Sequence, residues 1–136
     1  MPAKGTAEWK GDLPTGTGTF TAGDSISGGY TFKSRFEDGP GSNPEQLIAA
    51  AHASCFSMAL SSALAKAGTP PDALDTTADV TFQPGEGITG IHLTVQGAVP
   101  GLSADQFAEA ADGAKTNCPV SKALTGTTIT LDATLV

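Results

Sequence analysis

Between Glu45 and Lys66 the chain reads QLIAAAHASCFSMALSSALA, with no Asp, Glu, Lys or Arg. Both ends carry helix signals. Asn43 suits the N-cap, Pro44 the first helical position, and Gln46 completes a box-like pattern. Gly68 and then Pro70-Pro71 stop the helix near Ala67. The segment is long enough to cross a bilayer. Its content argues against that, because Ala and Ser dominate, His52 lies inside, and Leu, Ile and Val are few. Small side chains throughout suit a helix packed tightly in a protein core. A helix that is small or apolar nearly all round cannot be covered by one face of one small sheet. Its cover comes from other helices of its own chain or from the same helix of a second copy. Ala-rich faces permit close approach, and a dimer is the favoured expectation.

The remaining segments predict strands and two shorter helices. TAEWK and TGTGTFT read as strands joined by the turn DLPTG. GGYTFKSRF alternates, with Tyr30, Phe32, Ser34 and Phe36 on one face and Thr31, Lys33 and Arg35 on the other, so a third strand is expected there. After the long helix, DTTADVTFQ and ITGIHLTVQ flank the turn PGEG, with Ile91, Leu93 and Val95 facing one way. Ser103 with Gln106 caps a second helix to about Lys115, and Cys118-Pro119 opens a short third. TTITLDATLV closes the chain as a strand with Ile129, Leu131 and Leu135 inward. The expected order is βββ-α-ββ-αα-β. It implies an α+β fold, with an antiparallel sheet packed on long central helices in a single domain over residues 1–136.

Composition excludes several partners. The net charge is -7 with only 7 Lys+Arg, and no basic run exists to neutralise phosphates. Neither nucleic acid nor an anionic membrane surface is an expected partner. MPAKGTAEWKGD contains no apolar core of a secretion signal, so a cytoplasmic protein is expected. In that compartment two cysteines are more often working thiols than a structural staple.

At helical spacing Ile48, Ala51, His52, Cys55, Met58 and Ala59 share one stripe. Burial there would raise the Cys55 pKa and leave an inert thiol, so reactivity requires a neighbouring positive charge. Arg35 is the best candidate, since it precedes the helix by one short loop. Such a cation stabilises a thiolate or a departing alkoxide, whereas a solvated surface arginine does neither. Glu45 can hold Arg35 by a bidentate contact, or it can simply favour the first helical turn. A continuous helix puts Glu45 and Cys55 ~15 Å apart, which points to a long arginine bridge or to a residue supplied by a second chain. Cys118, near an N-cap, has a helix dipole that favours its thiolate. A second cysteine can condense with an oxidised first, although two unrelated buried thiols fit the sequence as well. A zinc site of His52, Cys55, Cys118 and His92 lacks the usual close ligand pairs. A Cys–His hydrolase is disfavoured because His52 and Cys55 project side by side.

GSNPEQLIAAAHASCFSMAL together with NCPVSKAL resembles the OsmC/Ohr family of osmotically inducible and organic hydroperoxide resistance proteins. YTFKSRFEDGPGSNPEQL is similar to its OsmC branch, and the likeness runs from TAEWKGD to TITLDATL. The resemblance implies a thiol-dependent peroxidase in an intertwined homodimer, with sites at the interface. By position, Cys55 would be the peroxidatic cysteine, Cys118 the resolving one, Arg35 the activating arginine and Glu45 its partner. The implied cycle passes through a Cys55 sulfenic acid and a Cys55–Cys118 disulfide. An external dithiol, with a dihydrolipoyl protein as one candidate, would reduce it, and neither metal nor cofactor is needed. Phe36, Ile48, Phe56 and Met58 would favour alkyl hydroperoxides over hydrogen peroxide. The competing expectation is a non-enzymatic redox-sensing or ligand-binding dimer using the same cysteines.

Overall fold

Strand alternation organises the start of the chain in the computed structural model, which describes residues 1–136 and divides into two units, Met1–Leu47 and Ile48–Val136. In the first unit β1 (Gly5–Lys10), β2 (Thr17–Ala22) and β3 (Ile26–Tyr30) form an antiparallel meander in that order. The DLPT turn is held by Asp12 Oδ1, which accepts from the Thr15 amide at 3.0 Å and the Thr15 hydroxyl at 2.5 Å. Trp9, Gly18 and Tyr30 share one row across the three strands, and the Trp9 and Tyr30 rings close over the bare glycine at 5.4 Å.

The expected strand through Arg35 ends at Tyr30, and Phe32–Phe36 form a short helix, α1. Two features override the alternation. The Ser34 amide donates to Thr31 Oγ1 at 3.1 Å and the Thr31 amide to Ser34 Oγ at 2.8 Å, a closed capping box. Phe32 and Phe36, one turn apart, stack at 4.7 Å. Period two and period four agree over so few residues, so the pattern could not separate them.

Helix α2 (Pro44–Lys66) starts as expected, with the Gln46 amide donating to Asn43 Oδ1 at 2.8 Å. It stops in a left-handed glycine cap. Gly68 has φ +90°, the Thr69 amide reaches Leu64 O at 2.9 Å, and the Gly68 amide reaches Ala65 O at 3.0 Å. By length and composition alone α2 could cross a membrane. Its buried edge instead joins a protein core, described below.

The second unit holds β4 (Ala73–Gln83), β5 (Gly87–Ala98), α3 (Ala104–Asn117), α4 (Pro119–Ala123) and β6 (Thr128–Leu135). The α+β class holds, and the element order becomes βββ-αα-ββ-αα-β in two three-stranded sheets. β4 pairs antiparallel with β5, but β6 runs parallel to β5. An all-antiparallel sheet was expected. The α3–α4 crossover carries the chain back to the start of β5's direction, so only parallel pairing is open to β6.

The core gathers Phe56, Leu60 and Leu64 of α2, Ile91, Leu93 and Val95 of β5, and Phe107, Ala111 and Ala114 of α3. Ile129, Leu131 and Leu135 pack against it from β6, as their alternation predicted. Ser103 and Gln106 close the capping box of α3. This holds Phe107, on the first turn, in the core.

Gly97 of β5 is where this packing is tightest, because a Cβ there would meet the buried Phe107 ring. Gly97→Ala should therefore overpack the core and cost about 1–3 kcal/mol in chemical denaturation. A variant with unchanged stability would show that the Phe107 ring has room to retreat.

Candidate active site

The four candidate residues fall two and two into the units. In the first, Arg35 and Glu45 form a bidentate pair within one chain. Arg35 Nη2 donates to Glu45 Oε1 at 2.8 Å, and Arg35 Nε donates to Oε2 at 3.2 Å and Oε1 at 3.3 Å. Local structure fixes both partners. Arg35 lies on the capped helix α1, whose buried Ser34 ties the following loop by donating to Ser42 O at 2.7 Å. Asn43 donates in turn to Ser34 O at 2.9 Å, which sets the start of α2 and hence Glu45. The Glu45 carboxylate is nearly buried, with 9% of its side chain exposed against 35% for Arg35. A buried carboxylate holding a guanidinium in its plane presents a fixed, oriented cation. Arg35 also leans over the Phe36 ring at 5.4 Å.

In the second unit Cys55 and Cys118 are free thiols on one core, which contains Cys118 and against which Cys55 packs. Cys55 projects from the half-buried side of α2, beside the core residue Phe56. Cys118 is fully buried at the junction of α3 and α4. Their environments differ. Burial pushes the Cys55 thiol up; the Val120 amide opposes this and the neighbouring Cys118 adds to it. Burial acts on Cys118 in the same direction, but hydrogen bonds outweigh it. The Ser121 amide, the Cys55 thiol, the Ser121 hydroxyl and the Val120 amide together bring Cys118 below the ordinary thiol value. The Cys118 side chain makes no capping hydrogen bond to α4.

Behind Cys118 lies a second buried polar pair. His52 Nε2 and Ser121 Oγ meet at 2.7 Å, and both residues are buried. His52 Nδ1 is buried without a partner. The sequence weighed His52 as a zinc ligand and as a hydrolase base, both disfavoured, and Ser121 was missed. Its signal was present, since Cys118 and Ser121 stand in the i, i+3 relation of a capping pair on α4.

Other expectations are corrected. Of the expected stripe, His52 is buried and Ile48, Cys55 and Ala59 pack against the core, whereas Met58 is 75% exposed and Ala51 is exposed; the fully buried edge is His52, Phe56, Leu60 and Leu64. Steps of four advance about 40° around a helix, so this edge winds away from a stripe built of mixed three- and four-residue steps. Phe56 is sealed in the core, which removes it as a surface for substrate. His92 sits on the outward face of β5, with Nδ1 at 2.6 Å from Thr130 Oγ1 and Nε2 at 3.0 Å from Asp132 Oδ2. It therefore points away from the core that holds His52 and Cys118.

Comparison with known proteins bears on this arrangement. A family model described as OsmC-like protein matches residues 37–132. The chain is 47% identical over 134 residues to peroxiredoxin OsmC of Escherichia coli, covering 95% of this chain and 93% of the relative. It is 35% identical over 103 residues to the organic hydroperoxide resistance protein of Xanthomonas axonopodis pv. citri, covering 71% and 67%. Among solved structures, the organic hydroperoxide resistance protein OhrB of Bacillus subtilis superposes with a TM-score of 0.71 at 26% identity, covering 100% and 98%.

The buried imidazole carries a pH signature. Burial lowers His52 from its ordinary value of 6.5. As pH falls below 6.5 the unfolded chain takes up a proton that the folded chain refuses, so stability declines until the lower folded value is passed. Wild-type Tm should fall more steeply from about pH 7 to about pH 5 than that of His52→Gln. Parallel profiles would show that His52 titrates alike in both states.

Proposed function

Since the chain belongs to the OsmC-like protein family, we propose that it is a thiol-dependent peroxidase acting on organic hydroperoxides. The observation that carries this reading is that two free thiols, Cys55 and Cys118, share one core in unlike surroundings. The names of the Escherichia coli and Xanthomonas relatives agree with it.

In the proposed cycle the Cys55 thiolate attacks the hydroperoxide. An S–O bond forms, the O–O bond breaks, and an alkoxide leaves. Arg35, oriented by Glu45, stabilises both the thiolate and the departing alkoxide. Cys118 then attacks the Cys55 sulfenic sulfur. The S–S bond forms, the S–O bond breaks, and hydroxide leaves to be protonated as water. An external dithiol, with a dihydrolipoyl protein as the candidate class, reduces the disulfide. The cycle calls on no metal or haem. An open groove of ≈ 230 Å³ lined by Ile48, Ile88, Ile91, Ala123 and Leu124 supports an alkyl substrate.

The proposal includes a homodimer in the cytoplasm. Support for the dimer is the outer side of α2, where Ala51, Ser54, Met58 and Ser62 are exposed at helical spacing. Small residues around one Met suit close packing against a second copy. Burial alone leaves Cys55 unactivated, so the peroxidase reading also requires Arg35 to reach it in the assembly.

Wild-type protein should consume cumene hydroperoxide steadily with a recycling dithiol. Cys55→Ser should lose turnover entirely, Cys118→Ser should stall after one oxidation, and Arg35→Ala should slow the first step by about 10²–10³-fold. Oxidation without turnover, with several dithiols tried, would replace the enzyme with a redox sensor.

A further inference from the structure

The reaction just described uses His52 and Ser121 for nothing, yet they occupy the core immediately behind Cys118. His52 is 0% exposed, Ser121 4% and Cys118 0%, so water does not compete for their hydrogen bonds. A polar pair so placed costs stability unless its groups are matched. The match is incomplete, because Nδ1 of His52 has no partner. This orphan atom assigns the tautomer. A buried lone pair without a donor is tolerated better than a buried N–H without an acceptor. The proton therefore sits on Nε2, and Nε2–H donates to Ser121 Oγ across the 2.7 Å contact. With its oxygen occupied as acceptor, the Ser121 hydroxyl has its own proton free to donate. Ser121 stands one turn after Cys118 on α4, at the i, i+3 spacing that makes side chains neighbours.

Resting on the peroxidase reading, we propose that His52 and Ser121 are positioning residues for the second chemical step. They form a donor chain, His52 Nε2–H to Ser121 Oγ–H to Cys118 Sγ, that holds Cys118 as the thiolate which attacks oxidised Cys55. The chain has one direction, since each group donates toward the sulfur. It favours the anion over the thiol, and the neutral state that burial imposes on His52 is the state the chain requires. The groups that act on Cys118 are Cys55 from α2, the Ser121 and Val120 amides of α4, the Ser121 hydroxyl, and His52 through Ser121. In the step itself the Cys118 sulfur supplies the electron pair, the S–S bond forms as the S–O bond of the sulfenic acid breaks, and the leaving hydroxide is neutralised to water by the proton that Cys118 released to solvent on ionising. Neither His52 nor Ser121 gains or loses a proton overall.

Two readouts test the chain. The first is ultraviolet titration of the Cys118 thiolate in a Cys55→Ser background, with Ser121→Ala and separately with His52→Phe. Ser121→Ala should lower the thiolate fraction near neutral pH about tenfold, the effect of losing one hydrogen bond to a charged group. His52→Phe, with Ser121 intact, should shift it in the same direction by less. The second is a single turnover with one equivalent of cumene hydroperoxide, quenched with dimedone and read by mass spectrometry. Ser121→Ala should oxidise Cys55 at the wild-type rate, then form the disulfide about tenfold more slowly, so that the sulfenic acid accumulates. Unchanged thiolate titration in both variants overturns the chain. Equal slowing of both chemical steps overturns it as well, because that pattern reports a general structural defect. If wild-type protein leaves the hydroperoxide unreacted, the peroxidase reading falls, while the titration still decides whether the donor chain exists.

Discussion

The edge formed by His52, Phe56, Leu60 and Leu64 fixes how α2 is rotated in its unit, and the thiol chemistry depends on that rotation. Phe56, Leu60 and Leu64 share a core with β5 and α3, and truncating any one of them would cost about 2–5 kcal/mol. With Phe56 driven inward, Cys55 is carried to the half-buried flank where Cys118 waits at the start of α4. With the same rotation, His52 enters the core one turn before Phe56 and meets Ser121. A single packing decision therefore places two thiols and the polar pair behind them. The hydroxyl contact of Ser57 with Thr76 of β4, at 2.7 Å, pins the opposite flank.

Much of this was legible because it rested on local chemistry. Asn43 and Gln46, Ser103 and Gln106, and Gly68 all act within one helical turn, and each did what its residue type dictates. The alternation of Ile91, Leu93 and Val95 likewise named the buried face of β5. Two features escaped because they depend on partners distant in sequence. The direction of β6 is set by the crossover through α3 and α4, which strand periodicity does not report. The rotation of α2 was misread because Ala and Ser populate every side of it, so no contrast marks the face that packs. Phe56, Leu60 and Leu64 mark the packing face at four-residue intervals, but Met58, which is exposed, and Leu47 blur it. α1 is a third kind of miss, in which five residues satisfied both periods and a side-chain capping box chose between them.

Of the site, the cysteines and the ion pair were readable as residue types, and the bidentate contact of Arg35 with Glu45 was anticipated. The unequal surroundings of the two thiols were not. Burial alone would have raised both; Ser121, and the interaction between the two thiols that lowers one and raises the other, distinguish Cys118 from Cys55. This asymmetry assigns different needs to the two steps of the proposed reaction. Cys118 finds its stabilisation within its own unit, from amides and a hydroxyl that are already ordered. Cys55 finds mainly burial there, so the proposed cycle depends on a cation to activate it.

Why that cation should be held by a carboxylate follows from the same reasoning. A free arginine on a short surface helix samples many rotamers, and its charge is screened by water in most of them. Glu45 is nearly buried and sits in the first turn of α2, where the helix dipole favours its negative charge. Locking the guanidinium to such a carboxylate removes rotamer freedom before any substrate arrives, so little ordering remains for the reaction itself. The pair is also close to neutral overall, which limits the desolvation cost of covering it. A lysine in place of Arg35 would keep the charge but lose the fork that makes the contact bidentate. The arrangement is therefore one for orientation as much as for charge, and the capped helix α1 with its tie to Ser42 sets where that orientation begins.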